Sequence, residues 1–128
     1  MTNKLLILFD NVIFNQIINN SFYIMADFKV DGRMKVKSLK ANFKKAFGCT
    51  LRVYTTTTCK TPADDDATLA SIKKAGAKGG EIVVGSNIRV GNFEKKVTEL
   101  YGIGVQVANA ANTKLSNNDI TLAAAGKE

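Results

Sequence analysis

The side chains in this sequence that could do chemistry are mainly cations gathered in one short stretch. Arg33, Lys35, Lys37, Lys40, Lys44 and Lys45 all lie between positions 33 and 45, within a chain of 128 residues and formal net charge +7. At helical spacing Lys37, Lys40, Lys44 and Lys45 share the side opposite the apolar positions of the same segment. Such a face suits phosphate groups or an acidic protein surface, with Arg33 and Lys35 extending it from the preceding residues. Residues 27–78 carry 12 Lys/Arg against 5 Asp/Glu, and residues 79–128 carry 5 against 5, so this imbalance belongs to the first half of the chain.

Other chemistries find little support. There is no histidine, which removes the commonest general base and metal ligand. No serine or cysteine has an evident activating partner. Asp64-Asp65-Asp66 reads as a capped, solvated helix start, because hard cations want six or more converging oxygens. Gly102-Ile-Gly104 is at most half of a dinucleotide fingerprint, and its second glycine opens a strand where a helix should begin. Gly76-Ala-Lys-Gly-Gly80 lacks the Gly-Lys-Ser/Thr ending of a phosphate loop. Cys49 follows a glycine at a strand start and is expected to be buried, whereas Cys59 sits in a polar loop. Two cysteines make no secreted disulfide framework, and a reducing, cytoplasmic setting is the simpler expectation. No catalytic, cofactor or metal site is therefore expected.

The elements that position these residues occur twice. Met34–Val53 returns 54 positions later as Ile88–Val107, with Phe43 on Val97, Phe47 on Tyr101 and Gly48 on Gly102. After a one-residue slip, Asp66-Ala-Thr-Leu-Ala falls on Asp119-Ile-Thr-Leu-Ala. In each copy a short apolar run (Phe28–Val30, Ile82–Val84) leads into Asp31-Gly32 or Gly85-Ser86-Asn87, which are tight-hairpin signals. A second strand is expected around 34–36 and 88–90. The period then changes to 3.6. Leu39, Phe43, Ala46 and Phe47 share one face of a helix, as do Phe93, Val97, Leu100 and Tyr101. Ser38 and Asn92 are candidate N-caps, and Gly48 and Gly102 stand where a helix leaves through a left-handed residue. A third strand (51–54, 105–108) and an Asp-capped short helix complete each unit. On the second helix Lys95 and Glu99 are spaced to pair at one turn.

The expected fold class is α+β, with two tandem ββαβ repeats (27–78 and 81–128) forming one compact domain, 26–128, with pseudo-twofold symmetry. Strand 81–84 would close the first half and strand 27–30 the second. Residues 1–25 form a leader of different composition, without Gly, Ala, Pro or Arg. Translation is expected to start at Met25. The interruptions at Asp10, Asn11, Asn15 and Gln16 exclude a membrane span of about 20 apolar residues there.

Asp66-Ala-Thr-Leu69, Gly79-Gly80 and Glu81–Val84 resemble the approach to the last strand in the ubiquitin-like β-grasp, in outline over residues 27–84. The resemblance implies a single helix packed on a small sheet. The sequence ends at Glu128, where that pattern has a last strand and a Gly-Gly tail, so the covalent-modifier role is not part of the expectation. The functional expectation is a small non-enzymatic module that binds another protein through a strand edge or the basic helix face. The alternative is nucleic-acid binding through Arg33, Lys35, Lys37, Lys40, Lys44 and Lys45.

Overall fold

In a computed structural model, residues 28–128 are described; the leader and the proposed start at Met25 lie outside them. The chain runs β1 (Phe28–Val30), α1 (Val36–Phe47), β2 (Thr50–Tyr54), α2 (Leu69–Ile72), β3 (Ile82–Val84), α3 (Val90–Tyr101), β4 (Gly104–Ala108) and α4 (Leu122–Ala125). This is an α+β arrangement with two separate two-stranded antiparallel sheets, β1–β3 and β2–β4.

Each sheet takes one strand from each repeat. In the first, Lys29 stands opposite Val83 at the centre of the ladder, flanked by Phe28 opposite Val84 and Val30 opposite Ile82. In the second, Arg52 stands opposite Gln106 at the centre, and Thr50 and Tyr54 face Ala108 and Gly104. Both central pairs are separated by 54 positions, the offset of the repeat. No strand is common to the two sheets, so the expected sharing, with 81–84 closing one half and 27–30 the other, is replaced by direct pairing of these two segments.

The expected hairpins do not form, and each repeat reads strand, helix, strand, short helix. Asp31 makes a local turn, with its Oδ1 accepting the Arg33 N–H at 3.0 Å. The chain then passes alongside the short helix of the same repeat. The Leu69 N–H donates to the Met34 carbonyl and the Ala70 N–H to the Gly32 carbonyl. Only an isolated bridge, Lys35 with Thr68, remains of the expected second strand; Arg89 with Thr121 is its counterpart. The Asp31-Gly32 and Gly85-Ser86-Asn87 signals make local turns and not the expected hairpins, because the apolar alternation of three residues does not specify a partner.

Helix capping also departs from expectation. Ser38 and Asn92 lie inside the helices, whose N-caps are Lys35 and Arg89 with no side-chain cap. The first amides are taken by a neighbouring loop instead: Val36 and Lys37 donate to the Ala67 and Asp65 carbonyls, and Val90 and Gly91 to those of Ile120 and Asn118. Backbone carbonyls thus satisfy donors that a helix leaves open. Thr68 and Thr121 cap the short helices through their hydroxyls, accepting from the Ser71 and Ala124 N–H groups. Asp66, the expected cap, pairs with Lys37. Gly48 and Gly102 do end α1 and α3 at φ 85° and 67°, a region that costs other residues strain.

One apolar core joins both repeats. Phe28, Phe43, Phe47 and Phe93 form an aromatic cluster, with Phe43 ring centroids 5.0 Å from Phe47 and 5.3 Å from Phe93. Val36, Leu39, Leu51, Leu69, Val90, Val97, Tyr101, Ile103, Val107 and Leu122 complete it. The expected faces of α1 and α3 are the buried ones.

The short helices dock crosswise on the long ones. Gly126, after α4, lies so close to the end of α1 that a β-carbon there would overlap the Phe47 carbonyl, although its φ of −67° suits any residue. The contact therefore demands glycine for space. Gly126→Ala should lose about 1–3 kcal/mol of unfolding free energy, measured by urea denaturation, while Lys127→Ala, at an exposed site, should leave the midpoint in place.

Candidate functional site

The lysine face of α1 is built as expected and then largely occupied by the chain itself. Lys37 Nζ lies 3.0 Å from Asp66 Oδ1, and Lys40 Nζ lies 2.8 Å from Asp65 Oδ1. Lys44 donates to the Ala110 carbonyl, and Thr50 Oγ1 donates to the same oxygen. Arg33, Lys35 and Lys45 make no ion pair among the described residues. The Asp64–Asp66 cluster folds back beneath the N-terminus of α1 because the Asp65 and Ala67 carbonyls accept the first amides of that helix, which brings the Asp65 and Asp66 carboxylates to Lys40 and Lys37. The Asp66 carboxyl is held below its usual range, chiefly by its hydrogen bond from Lys37. Six cations, Arg33, Lys35, Lys37, Lys40, Lys44 and Lys45, therefore share their surroundings with Asp31, Asp64, Asp65 and Asp66, a local balance of +2. Exposed pairs of this kind add little stability but lower the local potential.

The corresponding face of the second repeat is different. Lys95 and Glu99 form no ion pair among the described residues. A 330 Å³ groove runs between β3 and the C-terminal part of α3, lined by Glu81, Ile82, Val83, Lys96, Glu99 and Leu100. Among the described residues, Val83, 51% exposed, is one of two large apolar side chains left in solvent; Leu115 is the other. The matching positions in the first repeat are Lys29, which pairs with Glu81 at 3.3 Å, and Ala46. Val83 and Leu100 thus stand where the first repeat has a charged and a small side chain.

A third feature, absent from the sequence reading, surrounds Glu94. Its carboxylate accepts the Val107 N–H at 2.9 Å beside a 410 Å³ cavity lined also by Cys59, Thr98, Gln106 and Asn118. Burial raises the Glu94 pKa against the opposing effect of that hydrogen bond. The same position in the first repeat is Lys40. No sequence spacing announces a contact between the second turn of a helix and a strand residue 13 positions on.

Cys59 occupies the left-handed region at φ 57°, as does Asn112 in the matching loop, so the one-residue slip of the repeat falls within these loops. Burial raises its thiol pKa, with a further push from Glu94. Cys49 is fully buried, and burial lifts its thiol to about 11. Both cysteines are free. Tyr54, which could have stacked on a base, donates its hydroxyl to Gln106 Oε1 at 3.0 Å. Among the described residues no group of three acidic or cysteine side chains is arranged to hold a metal ion, and no helix is long and apolar enough to cross a membrane.

No protein-family model matches the chain, and neither the curated proteins nor the solved structures searched contain a match.

Two outcomes follow from these surroundings. At pH 8 a thiol reagent should label Cys59 in the native protein and leave Cys49 untouched until denaturant is added; labelling of both without unfolding would contradict the burial of Cys49. For Glu94, the folded-state pKa lies above the ordinary 4.5. The folded state then holds the extra proton, and stability falls as pH rises from 4.5 through the raised value. Glu94→Gln keeps an acceptor for Val107 and removes the charge. Its stability relative to the native protein should rise between pH 4 and pH 7, read from urea midpoints; a constant difference would contradict the assignment.

Proposed function

We propose that this chain is a non-enzymatic protein-binding module, and that its contact surface is the groove between β3 and α3. The observation that carries this reading is Val83. It stands exposed at the centre of a strand that, among the described residues, pairs on one side only, beside a groove lined by Ile82, Leu100, Lys96, Glu81 and Glu99. Open strand edges accept an extended segment through backbone hydrogen bonds, with neighbouring pockets selecting alternate side chains. A segment with β-branched or aromatic side chains and mixed charges complements these walls.

Nucleic-acid binding is the weaker reading. Two of the four helix lysines are in ion pairs and a third is turned to a carbonyl, which leaves a low local charge. Among the described residues the aromatic rings are in the core or, at Tyr54, hydrogen-bonded, and Tyr23 lies outside them.

We further infer that the two repeats stand in a pseudo-twofold relation, in a form other than the expected shared strand. Its support is that both ladders are centred on residue pairs one repeat apart. Under that relation Val83 and Leu100 of the groove are the second-repeat counterparts of Lys29 and Ala46 in the first.

A displayed library of random 12-residue peptides tests the reading. Selection on the chain should enrich extended, β-branched or aromatic sequences whose affinity falls at least tenfold in Val83→Lys, which copies the first repeat. Enriched peptides insensitive to that change would place the contact elsewhere. Retention of a 20-nucleotide single strand at about 50 mM salt, lost steeply by 200 mM, would favour the second reading.

A further inference from the structure

Both sheets are built across the junction between the repeats, so every ladder hydrogen bond between β1 and β3, and between β2 and β4, joins one half of the chain to the other. The helices follow the same rule. Lys74, just past α2 of the first repeat, donates its N–H to the Tyr101 carbonyl at the end of α3. Gly126, just past α4 of the second, packs on the end of α1, and Cys49 Sγ lies 3.9 Å from the Leu122 carbonyl. The apolar surface of each half is covered by the other half.

A single covalent connection, residues 73–81, makes this pairing intramolecular. It contains Gly76, Gly79 and Gly80, all at positive φ (87°, 67° and 105°). Besides the Lys74 bond to Tyr101, the Ala77 N–H donates to the Lys74 carbonyl at 3.0 Å, Lys73 Nζ to the Ala77 carbonyl at 2.7 Å, the Gly79 N–H to the Leu100 carbonyl at 2.7 Å, and the Tyr101 hydroxyl to the Gly80 carbonyl. These belong to the connection and not to the sheets.

We propose that the chain forms an exchanged dimer with a second copy of itself, in which the first repeat of each copy pairs with the second repeat of the other. Closed monomer and exchanged dimer contain the same two sheets and the same core. They differ in the path of residues 73–81 and in concentration. A short connection supplies an effective concentration in the millimolar range. The monomer therefore dominates in dilute solution, and exchange becomes competitive near that concentration or when the connection is shortened.

The central pair of the β2–β4 ladder provides the test, because Arg52 and Gln106 face each other from different repeats. In a Cys59→Ser background, the double variant Arg52→Cys/Gln106→Cys should close a disulfide within one chain in dilute solution. The two single variants, mixed, denatured and refolded together at about 1 mM, should give a disulfide-linked dimer of one copy of each. Refolding at about 10 µM should reduce its yield at least tenfold. Failure of the double variant to link, or a linking double variant with no mixed dimer at 1 mM, overturns the proposal. A second variant lacking residues 74–80 leaves Lys73 bonded to Glu81, which fixes their α-carbons about 3.8 Å apart. It should be a dimer at 10 µM by light scattering; a folded monomer would overturn the proposal, and if the variant does not fold, the mixed refolding decides.

Discussion

The structure depends on one constraint: neither repeat contains two strands that pair with each other. A three-residue strand cannot satisfy its own backbone, and an isolated two-stranded ladder is marginal even when complete. β1 finds β3 and β2 finds β4, each across the repeat boundary. The aromatic cluster follows the same logic, since Phe28 and Phe43 from the first repeat meet Phe93 from the second at 6.3 and 5.3 Å. About 50 residues of one repeat alone would expose these rings, and so small a unit rarely buries enough to fold unaided. Pairing across the boundary gives each half the strands and apolar cover it lacks alone.

The local architecture is organised around the starts of the two long helices. With no side-chain cap at Lys35 or Arg89, the first amides of α1 and α3 depend on carbonyls from the loop after β2 or β4. This dependence ties the loop, the short helix and the long helix into one unit. It also explains why Asp-x-Thr-Leu is common to both copies. The threonine caps the short helix, the leucine enters the core, and the carbonyl three residues before the threonine, at Asp65 or Asn118, remains positioned to accept a helix amide once the one-residue slip is allowed for.

What could be read in the sequence was what short range determines. The buried faces of α1 and α3, their glycine exits and the strands β2 and β4 all follow from periodicity and turn chemistry within about a dozen residues. Strand pairing could not be read, because Phe28–Val30 is too short to specify a partner and the Asp31-Gly32 turn serves a hairpin or a bend equally well. Nor could the fate of the lysines be read. Lys40 meets Asp65 from 25 residues away, a distance set by helix capping and invisible in the composition. The surface therefore changed its meaning between sequence and structure while the lysines kept their positions: an open cationic face became a partly neutralised one.

The comparison of equivalent positions carries the last step. Lys40 and Glu94 occupy the same place on α1 and α3, yet Lys40 turns outward to Asp65 while Glu94 turns to the Val107 amide. Lys29 and Val83 face each other at the centre of one ladder, one charged and paired with Glu81, the other apolar and exposed. Packing constrains the matched core positions and tolerates either choice at these outer ones, because an outward side chain at a ladder centre affects neither the sheet nor the core. An exposed valine there gains nothing from folding, since its apolar surface stays in water where a lysine would be better solvated. Under the proposed reading, its place beside the groove lined by Ile82 and Leu100 makes it a contact for a partner's side chain.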